Sequence, residues 1–158
     1  MRTGIGIDAH RFESGRKLLL GGVEIECEKG LAGHSDADVL LHAVMDALLG
    51  ACGAGDIGEM FPDSDPAYRD ASSLDLLRSV LEEVRSRSYR VVNVDAVVVC
   101  EAPRIAPYRD RMENSIAGAL ALEPGSVSVK GTTTEGMGFT GAGEGILAVA
   151  TALVETIT

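Results

Sequence analysis

Asp8, Ala9 and His10 set a carboxylate and an imidazole two residues apart in a stretch, Gly4 to Phe12, otherwise suited to a β-strand. Residues two apart on a strand share a face, with Cα atoms roughly 6.5 Å apart, so these two side chains would project together. Further on, Asp38, His42 and Asp46 recur at i,i+4 spacing, and Ser35 stands seven residues before His42. On a helix all four would share one face. A strand edge packed against that face would gather Asp8, His10 and His42 around one point. Two imidazoles and a carboxylate with an open fourth position suit a catalytic zinc ion, which polarises a phosphoryl or carbonyl oxygen. Asp38 or Asp46 would then orient the outer nitrogen of His42. The plainer reading is a polar strand face, with Asp38 as a helix cap and His34 as a residue of the preceding loop.

Two further stretches carry groups able to hold a ligand. Gly55 to Pro66 (GDIGEMFPDSDP) places Asp56, Asp63 and Asp65 among glycines and prolines. Its aspartates read either as caps of short turns or as a polyol grip, with Asp56 and the backbone of Ile57 and Gly58 on the hydroxyls and Phe61 to Asp65 as a lid. Lys130 to Gly145 (KGTTTEGMGFTGAGEG) offers backbone N–H groups and three threonine hydroxyls, the makings of a phosphate cradle without strong positive charge, or else a flexible glycine loop. Glu135 would repel phosphate there unless a divalent cation sits between them.

These groups need strands and helices to position them. Arg2 to His10 reads as a strand, and Leu18–Leu20 and Val23–Ile25 flank Gly21 and Gly22 as a hairpin. A helix is predicted from Ser35 to about Gly50, its apolar stripe being Leu40, Leu41, Val44 and Leu48, with Ser35 and Asp38 as a capping box. A second, from Ser72 to about Ser86, repeats that design with Asp75 and a stripe of Leu74, Leu77, Leu81 and Val84. The Val-rich run Arg90 to Cys100 is a buried strand. A Pro-interrupted loop, Glu101 to Pro107, leads to a helix from about Arg109 to Leu122, ended by Pro124 and Gly125. Ser126 to Lys130 is a short strand, Gly131 to Gly145 a loop, and Ile146 to Ile157 a closing strand whose alanines also allow a helix. Long irregular stretches in a small domain usually serve a site, which singles out 53–71 and 131–145. Alternating strands and helices define an α/β (α+β) chain, a single domain over residues 1–158, with a mixed four- to five-stranded sheet and helices on one face.

Composition narrows the class. The 158 residues, 46% apolar, suffice for one domain with a sizeable core. No apolar run approaches the roughly 18 residues of a membrane span, and no early segment resembles a secretory signal, so no membrane partner and a cytoplasmic location are expected. Cys27, Cys52 and Cys100 lack CxxC spacing and read as reduced thiols. A net charge of -10 argues against nucleic-acid binding. A phosphate ligand would therefore need cations and backbone amides.

Taken in order, Asp8-Ala9-His10, His34-Ser35-Asp36-Ala37-Asp38 with His42, Gly55-Asp56-Ile57-Gly58, Phe61-Pro62-Asp63-Ser64-Asp65-Pro66, Ala102-Pro103-Arg104, Thr132-Thr133-Thr134-Glu135 and Gly138-Phe139-Thr140-Gly141 resemble the 2-C-methyl-D-erythritol 2,4-cyclodiphosphate synthase family nearly end to end. The resemblance implies a metal-dependent phosphorus–oxygen lyase of the non-mevalonate isoprenoid pathway. In 4-diphosphocytidyl-2-C-methyl-D-erythritol 2-phosphate, the 2-phosphate attacks the β-phosphorus, releasing CMP and closing a cyclic diphosphate. It implies zinc on Asp8, His10 and His42, a magnesium or manganese ion near Glu135, and His34 and Thr133 stabilising charge at the reacting phosphates. Ala9 and Ser35 would border the substrate, while Asp56, Ile57, Gly58, Phe61, Pro62, Asp63, Ser64 and Asp65 would hold the methylerythritol. Cys100, Glu101, Ala102, Pro103, Arg104, Ile105 and Ala106 would take cytosine largely through backbone. Thr132, Thr134 and Phe139 would lie by the nucleotide phosphates. The implied assembly is a homotrimer with active sites between subunits.

Two positions depart from the pattern. Ala142 stands where many members carry Arg, and Ile7 where Phe is frequent. Ala142 removes a fixed cation that would grip phosphate in the site or isoprenoid diphosphates in the trimer cavity, and Ile7 changes that cavity's lining. Two other readings of the same residues are a zinc-dependent phosphohydrolase, which would release inorganic phosphate, and a non-catalytic trimeric module that binds cytidine nucleotides.

Overall fold

Strand β1 (Arg2–Ser14) turns Gly4, Gly6, Asp8 and His10 inward and leaves Ile5, Ile7 and Arg11 outside. The computed structural model describes residues 1–62 and 64–157, and Asp63 of the expected lid lies outside the described residues. Next come a hairpin of β2 (Leu18–Leu20) and β3 (Val23–Ile25), then β4 (Lys29–Leu31). The predicted turn is present, with Gly21 and Gly22 at φ of 60° and 74°, a region open to glycine without cost. β1 runs on beyond His10 because its far end pairs with β4, Phe12 opposite Leu31. β5 (Tyr89–Val99), β6 (Val127–Thr132) and β7 (Gly145–Thr156) complete a five-stranded mixed sheet in the order β4-β1-β7-β5-β6, with β5 and β6 parallel. The alanine-rich segment is a strand: Ile146, Ala148, Ala150, Ala152 and Val154 are buried on alternate positions.

Helix α1 (Val39–Cys52) covers β1 and β7, and α3 (Ser73–Ser86) packs outside it. α1 is apolar almost all round, as a helix between a sheet and a second helix must be. It starts later than its periodicity suggests. Asp38, fully buried, accepts from Leu41 N at 3.0 Å as N-cap and also from Gly21 N (2.9 Å) and Gly22 N (2.7 Å), tying the hairpin to the helix. The expected Ser35 cap is instead Asp38. Burial pushes the Asp38 carboxyl up, against the three N–H donors that pull it down. α4 (Arg109–Ala119) lies beside β6, and short helices α2 (Ile57–Met60) and α5 (Gly138–Gly141) occupy stretches expected to be loop. Helices cover one face of the sheet. The other leaves Ile5 63% and Ile7 59% exposed. No described helix is long and apolar enough to cross a membrane.

The contact that positions the site is α1 against β1. A Cβ at Gly6 would lie 2.0 Å from the carbonyl oxygen of Ala43, and one at Gly4 2.0 Å from that of Ala47. Only glycine lets the two backbones meet so closely, with alanines filling the seam. The residue before Ala43 is His42, which this seam delivers to Asp8 and His10.

Candidate active site

Three atoms converge where β1 meets α1. Asp8 Oδ2 lies 2.8 Å from His10 Nε2 and 3.0 Å from His42 Nδ1, and the two nitrogens are 3.2 Å apart. His10 Nδ1 faces the carbonyl of Ala32, an acceptor only, so that nitrogen carries the proton and a neutral His10 turns a lone pair on Nε2 toward the carboxylate. The three atoms are placed to act together as ligands of one cation, a place that an imidazole N–H fills when no metal is bound. Bonds of 2.0–2.1 Å in tetrahedral geometry would put such donors about 3.3 Å apart, close to what is seen. The set therefore fits a divalent metal. Without one, burial pushes the Asp8 carboxyl up, but the hydrogen bonds and charges of His10 and His42 outweigh it and hold it well below the usual carboxylate range. Burial likewise lowers His10, and Asp8 with the Ala32 carbonyl more than reverses this, raising it above its ordinary value.

Neither Asp38 nor Asp46 orients His42, contrary to the helix-face expectation. Asp38 is spent on caps, and Asp46 accepts from Ile57 N at 2.9 Å, fastening α2 to α1. His42 Nε2 instead meets Ser35 Oγ at 3.2 Å and Ser73 Oγ at 3.3 Å. Ser73 is not visible as a site residue in the sequence, where it is one serine at a helix start.

The triad opens into a cavity of about 530 Å³, whose lining includes Ala9, His34, Ser35, Ile57, Gly58, Phe61, Ser64 and Asp65. Tyr68, Arg69 and Leu76 also line it and carry no motif that would have marked them; Arg69 is a cation in an acidic chain. Asp56 and Pro62 lie outside that lining. Asp56 caps α2 through Glu59 N at 2.9 Å, and Asp65 caps the turn at Pro66–Tyr68 through Ala67 N at 2.9 Å, so both aspartates serve as caps. Arg16 donates to the carbonyls of Gly33 (2.7 Å) and Ser35 (2.8 Å), locking the loop that presents His34.

The remaining expected residues form a second cluster. Glu101 Oε1 accepts from Thr134 N (3.3 Å) and Gly136 N (3.2 Å), joining the loop after β5, Cys100 to Ala106, to the loop after β6. Thr133 Oγ1 donates to Glu135 Oε1 at 3.2 Å, Cys100 N donates to Thr132 O at 3.0 Å, and Ile105 is buried beneath. Pro103 O accepts from the Cys100 thiol at 3.5 Å, while Glu101, Ala102, Arg104 and Ala106 are exposed. Strand register sets Ala9, Leu147, Val99 and Thr132 level across the sheet. The two clusters thus share one end of the sheet, yet Thr132 is about 14 Å from Ala9, three strand spacings away. Phe139 joins neither; it lies with Arg11, Phe12 and Lys29 in an adjoining hollow that shares Ala9 and His10 with the first cavity. Ala142 is exposed at the end of α5.

Fold and site define a small α/β protein with a side-chain triad that fits a divalent metal near one end of a mixed sheet. A profile of the YgbB family matches residues 1–155. The chain belongs to that family, the family of the 2-C-methyl-D-erythritol 2,4-cyclodiphosphate synthases. The synthase of that name from Caldicellulosiruptor bescii is 55% identical over 153 residues, which cover 97% of this chain and 98% of the relative. The bifunctional enzyme IspD/IspF of Desulforudis audaxviator is 58% identical over 155 residues, 98% of this chain but 39% of the relative's length. A solved 2C-methyl-D-erythritol-2,4-cyclodiphosphate synthase in a CDP-bound form superposes with a TM-score of 0.89 at 35% identity, covering 98% of this chain and all of that one (100%).

Proposed function

We propose that this chain converts 4-diphosphocytidyl-2-C-methyl-D-erythritol 2-phosphate to 2-C-methyl-D-erythritol 2,4-cyclodiphosphate and CMP. The observation that carries the reading is the convergence of Asp8, His10 and His42 at the wall of a cavity that His34 and Ser35 also line. A 2-phosphate oxygen bonds to the β-phosphorus, the bond from β-phosphorus to the bridging oxygen breaks, and CMP leaves with that oxygen, so no water is consumed. Asp8, His10 and His42 would hold zinc and Glu135 magnesium or manganese, and these ions when bound would supply the positive charge an acidic chain lacks. His34 donates to the phosphoryl oxygens as charge shifts onto them, and Thr133 does the same from the loop after β6. Ile57, Gly58, Phe61, Ser64 and Asp65 close around the methylerythritol, holding the attacking oxygen and phosphorus in line. Asp56, whose Oδ1 caps α2, would offer its other oxygen to the sugar, and Pro62 belongs to the same lid. Backbone groups of residues 100–106 receive cytosine, and Thr132 and Thr134 border the α-phosphate.

The active unit in this reading is a homotrimer. Strands β7 and β5 separate Ala9 on β1 from Thr132 on β6 within one chain, and an apolar face bearing Ile5 and Ile7 is open to a second copy. A neighbour's Cys100–Ala106 and Thr132–Glu135 would then complete each metal cluster. A cytoplasmic location accords with Cys27, Cys52 and Cys100 being free thiols. Incubation of the protein with the diphosphocytidyl substrate and a divalent cation, followed by phosphorus NMR, tests the activity. A cyclic diphosphate with equimolar CMP is expected; inorganic phosphate would point to hydrolysis, and binding of CDP without turnover to a nucleotide-binding module.

A further inference from the structure

The outer nitrogen of His42 leads into a partly buried chain of polar groups that the proposed chemistry does not use. When Nδ1, turned toward Asp8 Oδ2 and His10 Nε2, ligates a metal, the ring's remaining proton must sit on Nε2. That nitrogen faces Ser73 Oγ at 3.3 Å, and the Ser73 hydroxyl donates to Asp36 Oδ1. Ser73 is fully buried (0% exposed). Asp36 Oδ2 also accepts from the backbone N–H of Ser73 at 2.9 Å. Ser73 opens α3, and Ser72 before it makes no side-chain cap, so Asp36 caps this helix from a distant loop. One carboxylate therefore holds both polar groups of one serine. The helix N-terminus favours that negative charge.

We propose that Asp36 and Ser73 are positioning residues for the metal centre: a carboxylate–hydroxyl–imidazole relay that fixes the tautomer of His42 and strengthens it as a ligand. Carboxylates hydrogen-bonded directly to a ligating histidine have this effect. Here the hydroxyl transmits it, because a hydroxyl that donates to a carboxylate is a better acceptor from Nε2–H. Ser35 Oγ shares the same proton at 3.2 Å but one of its lone pairs already accepts from Ala37 N, so its share is smaller. The relay couples the seating of α3 to the metal ligand. This inference rests on Asp8, His10 and His42 being metal ligands.

Ser73→Ala separates the relay from the cap, since its backbone N–H still reaches Asp36. In the full-length protein, zinc affinity measured by competition with a chelator should weaken about 10- to 100-fold, the range for removing such a partner. The thermal midpoint of the metal-free protein should stay close to wild type. Ser73→Thr should restore affinity, and Asp36→Asn should weaken it while also lowering the midpoint. Wild-type zinc affinity in Ser73→Ala and Asp36→Asn would overturn the relay and leave Asp36 a helix cap alone. A second measurement needs no variant: in zinc-loaded protein labelled with 15N-histidine, His42 should show a downfield, slowly exchanging Nε2–H. A proton on Nδ1 would overturn the proposal. Failure of the underlying reading looks different, as wild type would then take up no zinc or His42→Ala would take up as much as wild type.

Discussion

The two halves of the candidate site are built in different ways. Around Asp8, His10 and His42, side chains from β1 and α1 meet in a partly buried setting braced from Ala32, Ser35 and Ser73. Around Thr133 and Glu135, exposed loop groups bond mainly to near neighbours, and the Glu101 carboxylate is what reaches across. The first half is held by side chains packed between strand and helix, whereas the second is held by hydrogen bonds within and between two exposed loops.

The sharpest way to break the contrast is His42→Ala, which should abolish stoichiometric zinc uptake and lower CMP release by roughly 10³-fold or more. Metal analysis and a CMP assay check it, and near-normal turnover would dissolve the metal half. Gly6→Ala attacks the same half through packing. Its Cβ would collide with the Ala43 carbonyl at 2.0 Å, so we expect a loss of about 2–3 kcal/mol in denaturant unfolding together with weaker zinc binding. In the loop half, Thr133→Val should cut turnover by roughly 10²-fold while CDP affinity changes little, because the donor acts on charge that develops only during reaction. Equal losses in affinity and turnover would make Thr133 an ordinary contact.

The smallest effect concerns Cys100. Its thiol is pushed up to about 11 by burial, with the Glu101 charge and Cys27 adding to the shift. At pH 8 a thiol reagent should therefore label exposed Cys27 and spare Cys100, read by mass spectrometry. The folded protein holds this proton more tightly than the unfolded chain, whose ordinary thiol value is 9.0. Stability from this group is thus complete below pH 9 and is lost as the pH rises toward 11.

Much of the first half is legible in one dimension. Period-two spacing puts Asp8 and His10 on one strand face, and helical spacing puts His42 on an inward helix face. Burial of Asp38 under the hairpin is not legible, since Gly21 and Gly22 are its partners only after folding. The same holds for Ser73, Asp36 and Arg16, whose partners lie far away along the chain. Short helices α2 and α5 escape periodicity because four residues hold too little pattern to reveal one turn.

What the sequence by itself determined is the longer strands and helices, the chemical types and the ordered motifs that mark the family, because these depend on local spacing and residue identity. The tertiary structure alone decided which atoms meet. Gly4 and Gly6 permit the close approach, but only the packed seam sets His42 Nδ1 within 3.0 Å of Asp8 and hands its other nitrogen to Ser35 and Ser73. Contacts of that kind join residues distant in the chain. Their geometry follows from how whole backbones pack, which no local pattern encodes.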